Sequence, residues 1–139
     1  MSSLLSISVT SKTLQNASLL VYSKCIEKEY PEILKKFTKN RIPLPICMEE
    51  HHIDSIGFKL ISIITLSNPY EIVILTMDGS PHCIQLHFLG EHINKILKDK
   101  GTINHYNIEY GKIIKIPQKT IKIARHLSQC LMLSNRSGE

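Results

Sequence analysis

Residues 58–89 read FKLISIITLSNPYEIVILTMDGSPHCIQLHFL, and how the three apolar runs within them are read decides the fold. Phe58 to Leu66 is a β-branched run, Asn68-Pro69 turns the chain, and Glu71 to Met77 is a second such run. Asp78-Gly79-Ser80-Pro81 supplies another turn. Cys83 to Leu89 then alternates Ile84, Leu86 and Phe88 with Cys83, Gln85 and His87, the two-residue period of a strand with one buried face. Three strands in an antiparallel meander are therefore expected.

Towards the C-terminus, Ile93, Ile96 and Leu97 make the apolar stripe of a helix from about Glu91 to Lys100, with Gly101 as its stop. Lys112–Ile116 and Thr120–Ala124 read as two further strands, bent at Pro117, which cannot donate to a ladder. HLSQCLML after them reads as a strand or a short helix. Towards the N-terminus, Leu14, Leu19, Leu20, Cys25, Ile26, Ile33, Leu34 and Phe37 recur at helical steps, and Pro31 divides the region into two segments. Arg41–Pro45 is an extended connector.

The expected fold class is mainly β with helices (α+β). The strand, strand, strand, helix, strand, strand order is that of an OB-like five-stranded barrel, here with an N-terminal helical extension. The alternative is an open antiparallel α+β sheet. Residues 1–52 form the extension and 53–139 the barrel, together one compact unit, a size that buries a core without disulfides or a metal.

The segments YEIVILTMDGSPHCIQLHF (70–88), GEHINKIL (90–97) and GKIIKIPQKTIKI (111–123) carry a family likeness. With Asp78-Gly79-Ser80 at the turn and Gly111 opening a G-x-I-I-x-I strand, residues Gly57 to Leu133 resemble the single-stranded-DNA-binding OB-folds of the telomere-end-binding and replication-protein-A type. The resemblance implies a barrel with a nucleic-acid groove.

Composition is compatible with that. Apolar residues make up 42% and charged residues 21%, so a wholly disordered chain is excluded, and a formal charge of +5 with seven histidines suits a polyanionic partner. The four cysteines are scattered without a CxxC pair, which argues for reduced thiols in an intracellular protein, nuclear if eukaryotic and otherwise cytoplasmic. No apolar run is long enough to span a bilayer, and no signal peptide is read at the N-terminus.

Single-strand binding needs cations for phosphates and aromatic faces for bases. Lys112, Lys115, Lys119, Lys122 and Arg125 lie on the last expected strands, with isoleucines alternating inward, and are the candidates for phosphate. Tyr106 and Tyr110 are the candidates for stacking, and Gln85 and His87, on one strand face, for base edges. Cys47-x3-His51 has the spacing of half a zinc site but no second pair, so no metal is expected, and no cofactor. No GxSxG, P-loop, HExxH or GxGxxG occurs, and the carboxylates, Asp78 and Glu91 among them, lie in no paired motif. The chain is expected not to be an enzyme but to bind single-stranded DNA or RNA, or to join a complex that does, with the N-terminal helices free for protein partners. The alternative is a protein–protein interaction module, an adaptor, inhibitor or immunity-type protein, that binds no nucleic acid.

Overall fold

The structure, a computed structural model, describes residues 3–98 and 102–137. Its elements run β1 (Ser18–Ser23), α1 (Ile26–Glu29), α2 (Pro31–Thr38), β2 (Ile42–Ile46), α3 (Ile53–Ser67), β3 (Glu71–Met77), α4 (Cys83–Ile96), β4 (Thr102–Glu109), β5 (Lys112–Ile116), α5 (Gln118–Ala124) and α6 (Leu127–Ser137). The strands make one open sheet in the order β2-β1-β3-β4-β5, parallel throughout except for β5, which is antiparallel to β4.

This overturns both the OB-like barrel and the antiparallel α+β sheet. The sheet does not close, and two of the three segments expected as a meander are helices. In α3 the buried positions Ile56, Leu60, Ile63, Ile64 and Ser67 follow a helical spacing despite the β-branched composition. In α4 they are Cys83, Leu86, His87, Gly90 and Ile93, so the alternation of Ile84, Leu86 and Phe88 was a coincidence of two periods. The stop expected at Gly101 lies outside the described residues.

Within residues 18–46, expected to be helical or merely connecting, Ser18–Ser23 and Ile42–Ile46 are strands instead, while Ile26–Glu29 and Pro31–Thr38 are helices on either side of the expected break at Pro31. β1 is buried from Leu19 to Ser23, so its two faces are both apolar and it reads as a continuous run, as parallel strands covered on both sides do. Leu19 and Val21 join Ile72 and Ile74 of β3 and Ile103 of β4 in a core closed by Leu4, Leu14, α3 and α4. Leu20 and Tyr22 face the other way, with Val73, Leu75 and Ile108, beneath Ile26 and Phe37 of α1 and α2.

The connections explain the two layers. The β1–β2 crossover moves one way along the sheet and the β2–β3 and β3–β4 crossovers the other, so right-handed connections put α1 and α2 on one face and α3 and α4 on the opposite one. The direction of winding reverses between β1 and β3, and in open α/β sheets ligands bind beyond the carboxyl ends of the strands at such a reversal.

Two details correct the reading of residues 110–124. Tyr110 and Gly111 both have positive φ, 49° and 78°, and join Glu109 to Lys112 as the two-residue turn of the β4–β5 hairpin; Gly111 is therefore a turn residue and starts no strand. Gln118–Ala124 is a helix, with Pro117 at its N-cap, and packs Ile121 inward.

At the other edge of the sheet, β2 carries Pro43 and Pro45. Ile46 presents its carbonyl to Lys24 at the end of β1, so the alternate residues Pro43 and Pro45 turn their main-chain groups outward, where Leu4 N–H bonds the Pro45 carbonyl at 3.1 Å.

Candidate functional site

The reversal point lies between Ser23 at the end of β1 and Met77 at the end of β3. Ser23 Oγ and Cys83 Sγ are 3.0 Å apart across it, and the Cys25 thiol donates to Met77 Sδ at 3.5 Å, so the base of the crevice is filled by the protein itself. The turn after β1, Lys24-Cys25, has no glycine, and so lacks the close main-chain approach that a pyrophosphate needs. Partial burial and the neighbouring thiol of Cys83 raise the Cys25 thiol above its ordinary range, the opposite of what a nucleophile requires.

One strand further along, the same edge of the sheet holds a connected polar chain. Asn107 Nδ2 donates to Asp78 Oδ1 at 2.5 Å, the Thr76 hydroxyl donates to Asn107 Oδ1 at 2.8 Å, and Thr76 Oγ1 lies 2.6 Å from His87 Nε2. His87 Nδ1 lies 2.8 Å from His105 Nδ1, and His105 Nε2 lies 2.8 Å from Glu91 Oε2. Each member is placed by regular structure. Thr76 is on β3, and His105 and Asn107, two apart, share one face of β4. His87 and Glu91, four apart, share one face of α4. Among the described residues no buried side-chain nitrogen or oxygen lacks a partner.

The direction of every bond follows from the carboxylate at one end. Asp78 can only accept, so the Asn107 amide nitrogen faces it and the amide oxygen faces Thr76. The single Thr76 proton goes to that oxygen, so Thr76 must accept from His87 Nε2–H. His87 is neutral: burial, aided by the nearby His105, pushes it down to about 3. Its Nδ1 is therefore an acceptor and His105 Nδ1–H the donor. One proton remains for the contact between His105 Nε2 and Glu91, which holds it as imidazolium and carboxylate or as a neutral pair. Burial drives His105 below its ordinary value, against the pull of Glu91. At the open end, the hydrogen bond to Asp78 and the charge there raise Glu109 above the usual carboxylate value.

The chain opens on a cavity of about 270 Å³ between the β3–α4 turn and β4, whose wall includes Asp78, Gly79, Ser80, Ile84, His87 and Asn107. Gly79, at φ 84°, makes the turn, and Ser80 Oγ accepts at 3.1 Å from the N–H of Cys83, the first residue of α4. A larger groove of about 670 Å³ runs along β2 beside α2, but its charged groups, among them Lys24, Glu32, Lys35 and Glu50, are exposed side chains, and its Tyr22 hydroxyl is already spent on Glu27 at 2.6 Å.

Gly90 lets α4 and β4 meet. A Cβ there would stand 2.6 Å from Ile74 Cδ1 and 3.1 Å from His105 Cε1. Ile74 is fully buried and both His105 nitrogens are bonded, so neither neighbour yields easily. Gly90→Ala is therefore expected to cost about 1–2 kcal/mol net in urea unfolding, overpacking outweighing the helix gain of about 1 kcal/mol. An unchanged or raised midpoint would show that the helix moves away freely.

The residues expected from sequence are scattered. Lys112 and Lys115 are exposed on β5, and Lys119, Lys122 and Arg125 are exposed on and just after α5, so they share no barrel face. Tyr106 packs edge-on against Phe37, ring centres 5.2 Å apart, and is a core contact where a stacking platform was expected. Tyr110 is 92% exposed at the hairpin turn. Gln85 is exposed on α4 while His87 is buried, so the two do not share a face. Of the set, His87 alone belongs to the polar chain. Thr76, Glu91, His105 and Asn107 were missed, though the His87–Glu91 spacing was visible to anyone reading residues 83–96 as a helix. Cys47 and His51 both line the groove beside β2, and among the described residues no cluster of three or more His, Cys, Asp or Glu side chains could hold a metal ion. No helix among them is long and apolar enough to cross a membrane.

A family model described as a Rossmann-like domain matches residues 11–137. No curated protein and no solved structure matches the chain. The family match and the parallel sheet together replace the resemblance to telomere-end-binding and replication-protein-A OB-folds, and with it the single-stranded-DNA groove that the resemblance implied.

Proposed function

The chain belongs to the Rossmann-like domain family, and from that premise we propose that it is a small-molecule-binding domain whose ligand occupies the cavity beside Asp78. The observation that carries this reading is the polar chain from Asp78 to Glu91, buried along most of its length and opening on that cavity at the carboxyl edge of the sheet. A buried array of this kind holds Asp78 and Asn107 in fixed positions, which is what orients a ligand without a cost in side-chain entropy.

The lining supports a particular chemistry. Asp78 offers acceptor oxygens, and Met77, Pro81 and Ile84 offer apolar wall. A compact molecule that donates hydrogen bonds through hydroxyl or amine groups from an apolar body fits both; at about 270 Å³ the cavity lies at the small end of ligand sites. Binding rather than turnover is favoured because each proton between Asp78 and His105 Nδ1 has one assigned place and the thiol nearest the reversal point is not activated.

The test is a nuclear-magnetic-resonance screen of small polyols, nucleosides and amines against labelled protein. Hits are expected to shift the Asn107 side-chain amide and the Gly79 and Ser80 main-chain amides, and Asp78→Ala should weaken them at least tenfold. Hits that shift only signals elsewhere, or a full library that leaves these three residues unmoved, would overturn the reading.

A further inference from the structure

α4 presents two different surfaces, about a quarter of a turn apart. Phe88, Leu89, His92 and Ile96 face α3 and form with Phe58 and Ile61 an apolar groove of about 570 Å³. Gly57 lets the helices approach, since a Cβ there would lie 3.1 Å from Leu89 Cδ1. The groove is open to water along its rim, where Phe58 is 77% and Ile96 50% exposed, more uncovered apolar surface than an isolated side chain presents.

Around the same helix, Glu91 and Lys95 face α5 and make with Lys119, Lys122 and Arg125 a cavity of about 310 Å³. Arg125 lines both spaces, so the groove ends where the basic cavity begins. Among the described residues the ion pairs join Arg41 to Glu71, His82 to Glu49 and His105 to Glu91. None of them engages the four cations of the cavity. The one acid in its wall, Glu91, is committed to His105 on its far side.

We infer that this continuous surface binds an anionic amphiphile, a single-chain alkyl or acyl phosphate with its head among Lys95, Lys119, Lys122 and Arg125 and its tail along the groove past Phe58 and Phe88. The charge selects the head: a phosphate carries up to two negative charges and several acceptor oxygens, which four converging donors can satisfy. The groove selects the tail, each methylene taken from water strengthening binding roughly fourfold. Neither half accounts for the other, and Arg125 is where they meet. The ligand differs from that of the crevice beside Asp78 in charge and shape, so the two sites stand or fall separately.

Calorimetric titration of the full chain with decyl phosphate, below its micelle concentration, tests this. Decyl phosphate is expected to bind, with inorganic phosphate and neutral-headed decyl glucoside at least tenfold weaker and affinity falling as salt rises. Phe58→Ala and Arg125→Ala should each weaken it at least fivefold with unchanged melting, because both side chains are exposed; Lys122→Ala is a second head variant with the same expectation. Inorganic phosphate binding as tightly as decyl phosphate would overturn the tail. Affinity unaffected by all three substitutions would overturn the site, and co-sedimentation with phosphatidylglycerol vesicles without binding of the monomer would mean a membrane surface instead.

Discussion

Acidification from pH 7 to pH 4 is expected to lower the unfolding free energy by on the order of 3 kcal/mol through His87 alone. In the folded protein burial holds this imidazole neutral, down to about 3, whereas in the unfolded chain it takes a proton near its ordinary value of 6.5. Between those values the unfolded state binds more protons, so stability is complete above about pH 6.5 and drains away as pH falls. His105, also driven down by burial, acts in the same direction. Urea titrations at intervals of half a pH unit measure the slope. His87→Gln keeps one donor for Thr76 and one acceptor for His105 but cannot titrate, so its profile should be flatter. A wild-type stability that stays level to pH 4.5, or a variant with the wild-type slope, would show that His87 is not the neutral link the hydrogen bonds require.

Thr76→Val is expected to cost about 2–4 kcal/mol, a large loss for an isosteric change. The hydroxyl is the one group in the chain that both gives and takes: it donates to Asn107 and accepts from His87. Its removal strands a buried imidazole N–H and leaves the amide oxygen without its donor, each costing about 1–3 kcal/mol. Thr76→Ser restores the hydroxyl and should recover all but about 1 kcal/mol. Equal losses in Val and Ser would mean that the methyl group's packing, not the hydrogen bonds, is what β3 needs at this position.

What could be read from the chain depended on how one period masks another. EIVILTM was legible as a strand because it is short, β-branched and bounded by the turn residues Asn68-Pro69 and Asp78-Gly79. CIQLHFL was not, since over seven residues a stripe at Cys83, Leu86 and His87 and an alternation at Ile84, Leu86 and Phe88 share a position, and only Gly90 and Ile93 beyond the window settle it. SLLVYS was hidden for the complementary reason: a central strand with two buried faces has no alternation, and its leucines fall by chance on helical steps. The site was less legible than the fold. His87 drew notice as an exposed base reader, and its true partners lie on two other elements, 11 and 18 residues away. Asp78 and Glu91 lie in no sequence motif, yet they are the two ends of one chain, because β3, α4 and β4 bring them together only in three dimensions.

The prolines of β2 have a consequence for assembly. A foreign strand adding to that side would meet two ring nitrogens with no hydrogen to give and a carbonyl already occupied by Leu4. The opposite border is different: β5 turns the main chain of Ile113 and Lys115 outward, with nothing beyond it in the sheet order. A sheet that can be extended from one side alone cannot polymerise by strand addition. Two copies could join β5 to β5 about a twofold axis, and that pair would present β2 at both ends and stop there.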